Sequence, residues 1–248
     1  MAVLTETNLT NIKYEVKDGR LTFDNVRRYL FGILIYSVFV VGVAYFVANE
    51  ESTVGWDTLS PANHYIFYLE AALFIFHLFL LLFCRKKNLF NQKVLMVGMV
   101  ILTYKVAVEP YLTVYMFYKD KGYDDVELIF IPFLIVVGLI IHIISFFYFV
   151  KRAKLIEDED TEPPKRVSVT LGLPVLFVLI SSFSVLVRNG FLGNFELTFY
   201  VILFSVLFIG MLIGVCEFIL AAYGVFRFSS FSVSPPRKSR KSNKKVYR

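Results

Sequence analysis

Cysteine, histidine and tryptophan are scarce in this chain of 248 residues, which contains two Cys, three His and one Trp. Cys84 and Cys216 are too few and too far apart for a disulfide framework, and no spacing typical of a metal site occurs. The motifs HExxH, Gly-x-Ser-x-Gly and CxxC are missing, as is a glycine-rich phosphate loop. We therefore expect no enzyme activity, no cofactor and no metal.

Polar stretches long enough to form a soluble domain are also missing. Hydrophobic residues make up 57% of the chain and aromatic residues 17%, which is typical of a membrane protein rather than a soluble domain. A helix needs about 20 apolar residues to cross a bilayer, and six segments approach or exceed this length: Tyr29 to Ala48, Tyr65 to Cys84, Val94 to Tyr118, Val126 to Val150, Val167 to Val187 and Leu197 to Phe226. We expect an all-α, six-transmembrane-helix bundle at 29–226, with an N-terminal segment at 1–28 and a tail at 227–248.

The basic residues are distributed unevenly between the loops that join these segments. If all six segments span, one side of the membrane carries 22 Lys and Arg residues and the other side carries three. If the third segment did not span, each side would carry 13 and the asymmetry would vanish. Because cytoplasmic loops are enriched in Lys and Arg, we expect six spans in the cell membrane and both termini in the cytoplasm.

The N-terminal segment carries an alternating pattern. Ile12, Tyr14 and Val16 alternate with polar residues, and Asp18-Gly19 can form a two-residue turn before the alternation resumes. This pattern predicts a β-hairpin. The alternative is a disordered leader with a chance pattern. Because no small-residue cleavage site follows the first apolar segment, we expect that segment to be retained.

The tail consists largely of Ser, Pro, Lys and Arg and lacks apolar periodicity. Such a composition cannot form a core, so we expect this tail to be disordered. Basic residues next to a transmembrane helix are attracted to anionic lipid by about 1 kcal/mol each. This predicts that the tail contacts anionic lipid of the bilayer. Nucleic-acid binding is not expected, because aromatic residues are hardly interleaved with the basic ones.

Ionisable residues inside the apolar segments form the candidate functional site. Lys105 and Glu109 lie one helical turn apart in the third segment, and each charge near the bilayer centre costs roughly 2.5 to 3.5 kcal/mol. From the rise per residue of a helix, six groups lie at graded depths of roughly 10 to 22 Å: Glu70, His77, Lys105, Glu109, His142 and Glu217. Such a ladder suits a proton or ion path; alternatively, it is a neutralised cluster that stabilises helix packing. The two histidines fit packing roles better than relay roles.

Proline and glycine mark further features of the apolar segments. Pro110 directly follows Glu109 and removes one backbone hydrogen bond, which predicts a helix break. Pro132 and Pro174 are candidates for similar breaks. Gly210 and Gly214 lie four residues apart and form a close-packing face for another helix, either within the chain or in a second copy.

Two classes of function remain open. The first is a non-catalytic membrane component, such as an accessory subunit, a receptor for a membrane protein partner or a protective factor, in which the buried charges stabilise the bundle. The second is a small proton-coupled transporter or ion-conducting protein that works through Glu70, Lys105, Glu109 and Glu217. We favour the first, because six helices with short loops leave little room for a substrate cavity. A water-accessible cavity that reaches Glu109 would favour the second.

Overall fold

The computed structural model describes residues 4–49, 55–120, 130–155 and 195–233. These residues contain no β-strand and form six α-helices with three short 3-10 helices. The α-helices are α1 (Thr10–Lys17), α2 (Phe23–Asn49), α3 (Pro61–Phe83), α4 (Leu89–Asp120), α5 (Phe130–Leu155) and α6 (Phe195–Arg227). The prediction of an all-α chain is confirmed for the described residues. The fifth apolar segment, 167–187, and Pro174 lie outside them.

Five of these helices, α2 to α6, are long and apolar enough to cross a membrane. The mean hydropathy of their most apolar windows ranges from 1.4 in α4 to 2.7 in α5. The outer surface of the bundle exposes large apolar side chains, including Phe39, Phe46, Ile75 and Ile144. Because soluble proteins rarely expose apolar surface on this scale, these helices indicate a lipid bilayer environment.

The central helix of the described bundle is α4. Two thirds of its apolar window (67%) is buried, compared with 17% for α3 and 11% for α5. One side of α4 packs against α2 and another against α6. Leu95, Met99 and Leu102 recur at intervals of four and three residues and are fully buried. This central position allows α4 to carry charged residues, because they face protein rather than lipid.

The contacts between α5 and α6 show that these two helices run in the same direction. A Cβ atom at Gly138 of α5 would clash with Phe208 of α6. One turn later, His142 binds the carbonyl oxygen of Leu212, so the contacts advance along both helices together. By the same criterion, α3 runs antiparallel to α2, and α6 runs antiparallel to α4. The connection from α5 to α6 therefore starts and ends at opposite ends of the bundle.

The first turns of α2 and α4 and the last turns of α3, α5 and α6 lie together at one end of the bundle. An apolar cluster joins these turns through Phe23, Leu80, Leu95, Ala153 and Val225. We call this end of the bundle the basic end, because Lys and Arg residues flank the helices there: Arg27, Arg28, Arg85, Lys86, Lys87, Lys93, Lys151, Arg152, Lys154 and Arg227.

The prediction of a β-hairpin in the N-terminal segment is wrong, because these residues form α1. Leu9 and Val16 are buried, whereas Tyr14, a member of the alternating pattern, is 55% exposed. Leu9, Ile12 and Val16 recur at intervals of three and four residues, and this helical period prevails over the alternation. The N–H groups of Asp18 and Gly19 both reach the carbonyl oxygen of Tyr14. These two residues therefore end the helix instead of forming a hairpin turn.

The prediction of disorder throughout the tail is wrong for residues 228–233. Ser229–Phe231 form a 3-10 helix in which the side chain of Phe231 is fully buried. The Gln92 side chain donates to the carbonyl oxygen of Phe231 at 3.1 Å and accepts from the N–H of Val233 at 2.8 Å. Apolar side chains within the polar composition thus anchor the start of the tail. Residues 234–248 lie outside the described residues.

The N-terminal segment and the start of the tail are joined at the basic end. Lys13 Nζ and Ser230 Oγ donate to Glu6 Oε1 at 2.6 and 2.5 Å. The hydrogen bond from Lys13, and then that from Ser230, lowers the pKa of the Glu6 carboxyl group. The ionised carboxylate of Glu6 therefore links both ends of the described chain.

Candidate functional site

Three of the six ionisable residues predicted as the site come together at the centre of the bundle. Lys105 Nζ of α4 lies 2.7 Å from Glu70 Oε2 of α3 and also forms an ion pair with Glu109 Oε1. The Lys105, Glu70 and Glu109 side chains are 4%, 15% and 0% exposed, respectively. Lys105 and Glu109 are four residues apart and share a face of α4. The charges expected from the sequence to lie at mid-bilayer depth therefore contact each other.

Ser37 of α2 completes this group, which we call the central cluster (Ser37, Glu70, Lys105 and Glu109). Its Oγ accepts a hydrogen bond from Lys105 Nζ at 2.8 Å and donates one to Glu109 Oε1 at 2.7 Å. The ammonium group of Lys105 thus donates hydrogen bonds to Ser37 and Glu109 and forms an ion pair with Glu70. The sequence gives no signal for this role, because Ser37 is a lone serine in an apolar run. The central cluster ties together α2, α3 and α4.

The central cluster contains one ammonium group and two carboxyl groups. It is electrically neutral only when one carboxyl group carries a proton or when a second cation binds. Glu70 Oε2 and Glu109 Oε2 are both buried and accept no hydrogen bond among the described residues, although Glu70 Oε2 forms an ion pair with Lys105. A buried carboxylate oxygen without a donor is costly. The central cluster therefore contains one carboxyl group more than it has cations.

A cleft of about 540 Å³ lies between α2 and α3 and reaches the central cluster. Ser37, Glu70 and Lys105 form part of its wall, but Glu109 does not. Most of the remaining wall is apolar and includes three aromatic residues whose ring centroids lie 5.4 to 5.9 Å apart: Tyr45, Trp56 and Phe67. The cleft thus stops short of Glu109, the residue that a water-accessible cavity would have to reach to favour transport.

The predicted site residue His77 lies outside the central cluster. Its side chain is buried on α3, and its Nε2 donates a hydrogen bond to the carbonyl oxygen of Leu30 in α2 at 2.8 Å. This bond joins two helices and satisfies a ring N–H, as expected for a packing residue.

The predicted site residue His142 lies in a separate network on the other side of α4. Its Nδ1 donates to the carbonyl oxygen of Leu212 at 2.8 Å, and its Nε2 accepts from the Tyr104 hydroxyl at 2.6 Å. The Sγ atom of Cys216 lies 3.5 Å from Nδ1. Both ring nitrogens of His142 are therefore engaged, and the network joins α4, α5 and α6.

Glu217 of α6 is also separated from the central cluster. It forms an ion pair with Arg20, which lies between α1 and α2 and whose side chain is 58% exposed. The depth expected for Glu217 was calculated only from its position relative to the end of α6, without the N-terminal segment. The N-terminal segment packs beside that end and brings an exposed cation to this carboxylate. The predicted ladder is thus divided into four separate groups: the central cluster, the His77 contact with Leu30, the His142 network and the ion pair of Glu217 with Arg20.

The predicted helix breaks at proline are not present in the described residues. The helix α4 continues from Leu89 to Asp120 through Pro110, because tight packing around a buried helix compensates for one missing backbone hydrogen bond. Pro132 is the third residue of α5, where a backbone N–H would have no partner within the helix in any case.

The glycines that pack closely differ from those predicted. A Cβ atom at Gly210 or Gly214 would meet nothing within 4 Å among the described residues. By contrast, a Cβ atom at Gly98 would clash with Leu80, and one at Gly138 would clash with Phe208. Sequence reasoning missed these two because each is a single glycine without a small residue four positions away. The face at Gly210 and Gly214 has no described neighbour.

The two cysteines are buried and free. Within the described ranges, no group of three His, Cys, Asp or Glu residues is placed to hold a metal ion. A search of protein family models, curated proteins and solved structures finds no match for this chain.

Proposed function

We propose that this chain is a non-catalytic, multi-pass protein of the cell membrane that acts as an accessory, partner-binding or protective component. The observation that supports this proposal is that the partners of Lys105 in the central cluster are other side chains inside the bundle. Lys105 donates hydrogen bonds to Ser37 and Glu109 and forms an ion pair with Glu70, and these three partners lie on three different helices. In this proposal the central cluster is a structural clamp rather than a site of chemistry.

The position of α3 explains why such a clamp is needed. Only 17% of its apolar window is buried, and apolar contact adds little attraction between helices that are surrounded by lipid. The ion pair from Lys105 to Glu70 and the hydrogen bond from His77 to Leu30 join α3 to its neighbours. These polar contacts therefore supply an attachment that apolar packing does not.

The proposed topology has six spans with both termini in the cytoplasm. The parallel direction of α5 and α6 supports this count, because the chain between them must return across the bundle. The flanking Lys and Arg residues at the basic end support the orientation. Single cysteines at Asp57 and Ser239 should react with an impermeant maleimide from opposite sides of the membrane. Labelling of both from one side would contradict the topology.

A variant with a neutral central cluster tests the clamp. The triple change Lys105→Met, Glu70→Gln and Glu109→Gln removes every charge and keeps similar volumes. Because replacing a buried ion network by uncharged groups often changes stability little, this variant should insert and fold, whereas Lys105→Met alone should give much less folded protein. Equal loss of folded protein in both variants would contradict the clamp.

Proton-coupled transport or ion conduction is the second candidate function. It is supported by the excess carboxyl group of the central cluster and by the cleft that reaches Glu70. In this case Glu70→Gln should abolish proton flux in liposomes without changing stability. The apolar cleft wall and the exclusion of Glu109 from it favour the structural role instead.

A further inference from the structure

A second cavity lies along the contact between α2 and α3, at the basic end of the bundle. Its volume is about 630 Å³. Arg27 and Arg28 from the start of α2 and Arg85 from just beyond α3 line its outer part. The rest of its wall is apolar and includes the exposed side chains of Phe31 of α2 and of Leu78 and Leu82 of α3, which lie nearer the middle of these helices. The cavity therefore passes from three guanidinium groups to hydrocarbon within about two helical turns.

The positive charge of this cavity is in excess. Asp24 is the acidic residue in its wall, and its carboxylate is held by Lys87 at 2.5 Å. Arg28 and Arg85 are exposed. Arg27 donates one hydrogen bond from Nη2 to the carbonyl oxygen of Leu81 at 3.4 Å, while its buried Nε has no hydrogen-bond partner among the described residues. A buried guanidinium N–H without an acceptor leaves room for one more hydrogen-bond acceptor at this cavity.

We propose that this cavity binds one anionic phospholipid, with its phosphate on the three arginines and an acyl chain along the apolar wall. The forked guanidinium group matches the geometry of phosphate oxygens. The arginines lie at the ends of two apolar helices, which is the level of the lipid headgroups in a bilayer. The volume of the cavity falls within the usual range of small-molecule sites. A free phosphate ion would leave the apolar part of the cavity unused.

The lipid would join two helices that pack loosely against each other. Because α3 is held to α2 and α4 by few buried contacts, a lipid bound to residues of both α2 and α3 should stabilise the folded bundle through linkage. This role differs from the expected contact between the basic tail and the membrane surface, because it requires a defined cavity. It does not depend on whether the central cluster is structural or moves protons.

The test compares two double variants of the full chain that each remove two exposed positive charges. Arg28→Gln with Arg85→Gln alters the cavity, whereas Lys151→Gln with Arg152→Gln alters the same basic end outside the cavity. The purified proteins are titrated in detergent with phosphatidylglycerol, with phosphatidylcholine and with inorganic phosphate, and the thermal unfolding midpoint is recorded. Retained lipid is counted by native mass spectrometry.

Phosphatidylglycerol should raise the unfolding midpoint of the wild type and of the control variant, whereas phosphatidylcholine and inorganic phosphate should not. The cavity variant should bind phosphatidylglycerol about thirty-fold more weakly, from about 1 kcal/mol for each arginine. Arg85 lies outside α3, so Arg85→Gln alone provides the test if the double variant does not fold. This single change should weaken binding about fivefold. Equal weakening in the control variant, or an equal response to inorganic phosphate, would overturn the proposal.

Discussion

Replacing Lys105 with Met should destabilise the folded bundle more than other single substitutions of a charged residue in the described helices. The substitution keeps the length of the side chain but removes the ammonium group from between Glu70 and Glu109. Breaking a buried ion pair by removing one partner costs about 3 to 5 kcal/mol. Here two carboxyl groups lose their cation and the Ser37 hydroxyl loses a hydrogen-bond donor, so we expect a loss of at least about 3 kcal/mol.

A second substitution identifies which carboxyl group causes most of the loss of stability in the Lys105→Met protein. Glu109 is 0% exposed, whereas Glu70 is 15% exposed and lies in the wall of the cleft. Glu109→Gln should therefore restore more stability to the Lys105→Met protein than Glu70→Gln does. Because the residues are in contact, the two changes should be non-additive by about 0.5 to 3 kcal/mol.

The assay is reversible unfolding in mixed micelles, with the folded fraction followed by far-UV circular dichroism. Lys151→Met, at an exposed position on α5, serves as the control and should change stability by less than about 0.5 kcal/mol. Additive losses for Lys105 and Glu109, or equal rescue by Glu70→Gln and Glu109→Gln, would refute the reasoning.

Two further predictions follow from contacts elsewhere in the bundle. Gly138→Ala should destabilise the fold by about 1 to 3 kcal/mol, because the new methyl group meets the buried ring of Phe208. Gly210→Ala, in open space, should be neutral or slightly stabilising in the same unfolding assay, and equal effects would contradict this packing. The pKa of Glu6 is lowered below its ordinary value of 4.5 in the folded state, so its stabilising contribution is present above that pH and is lost as the pH falls through the folded pKa. Acidification should therefore lower the protection of the amides of Phe231 to Val233, measured as their exchange rates relative to the intrinsic rates at each pH. Glu6→Gln should show the lower protection already at neutral pH, and unchanged protection would contradict the link.

The transmembrane helices are the part of the fold that the sequence predicts well. Continuous hydrophobicity over about 20 residues is a strong, local signal, and each described span lies within a few residues of its apolar segment. The N-terminal segment was harder, because Ile12 and Val16 fit an alternating pattern and a helical pattern equally well over so short a length. The burial of Leu9 favours the helix over the hairpin, and this burial depends on contacts with helices that are distant in the sequence.

The candidate site was predictable only in part. Lys105 and Glu109 share a helix face through their spacing, and the similar depth of Glu70 brought it into the same group. Depth alone could not separate Glu217 or the two histidines from that group, because depth gives no information on which side of a helix a neighbour lies. Ser37 could not be found at all, since its role depends on the packing of α2 against α4.

Proton flux into liposomes is the measurement that tests the structural role of the central cluster most directly. Purified protein is reconstituted into vesicles with an internal pH-sensitive dye, and a pH difference is imposed across the membrane between about pH 5 and pH 8, the range in which histidine titrates. The vesicles should remain as proton-tight as protein-free vesicles, and Glu70→Gln and Glu109→Gln should change stability but not flux. Proton flux in the wild type that is lost in either variant without a change in stability would contradict the structural role and support transport.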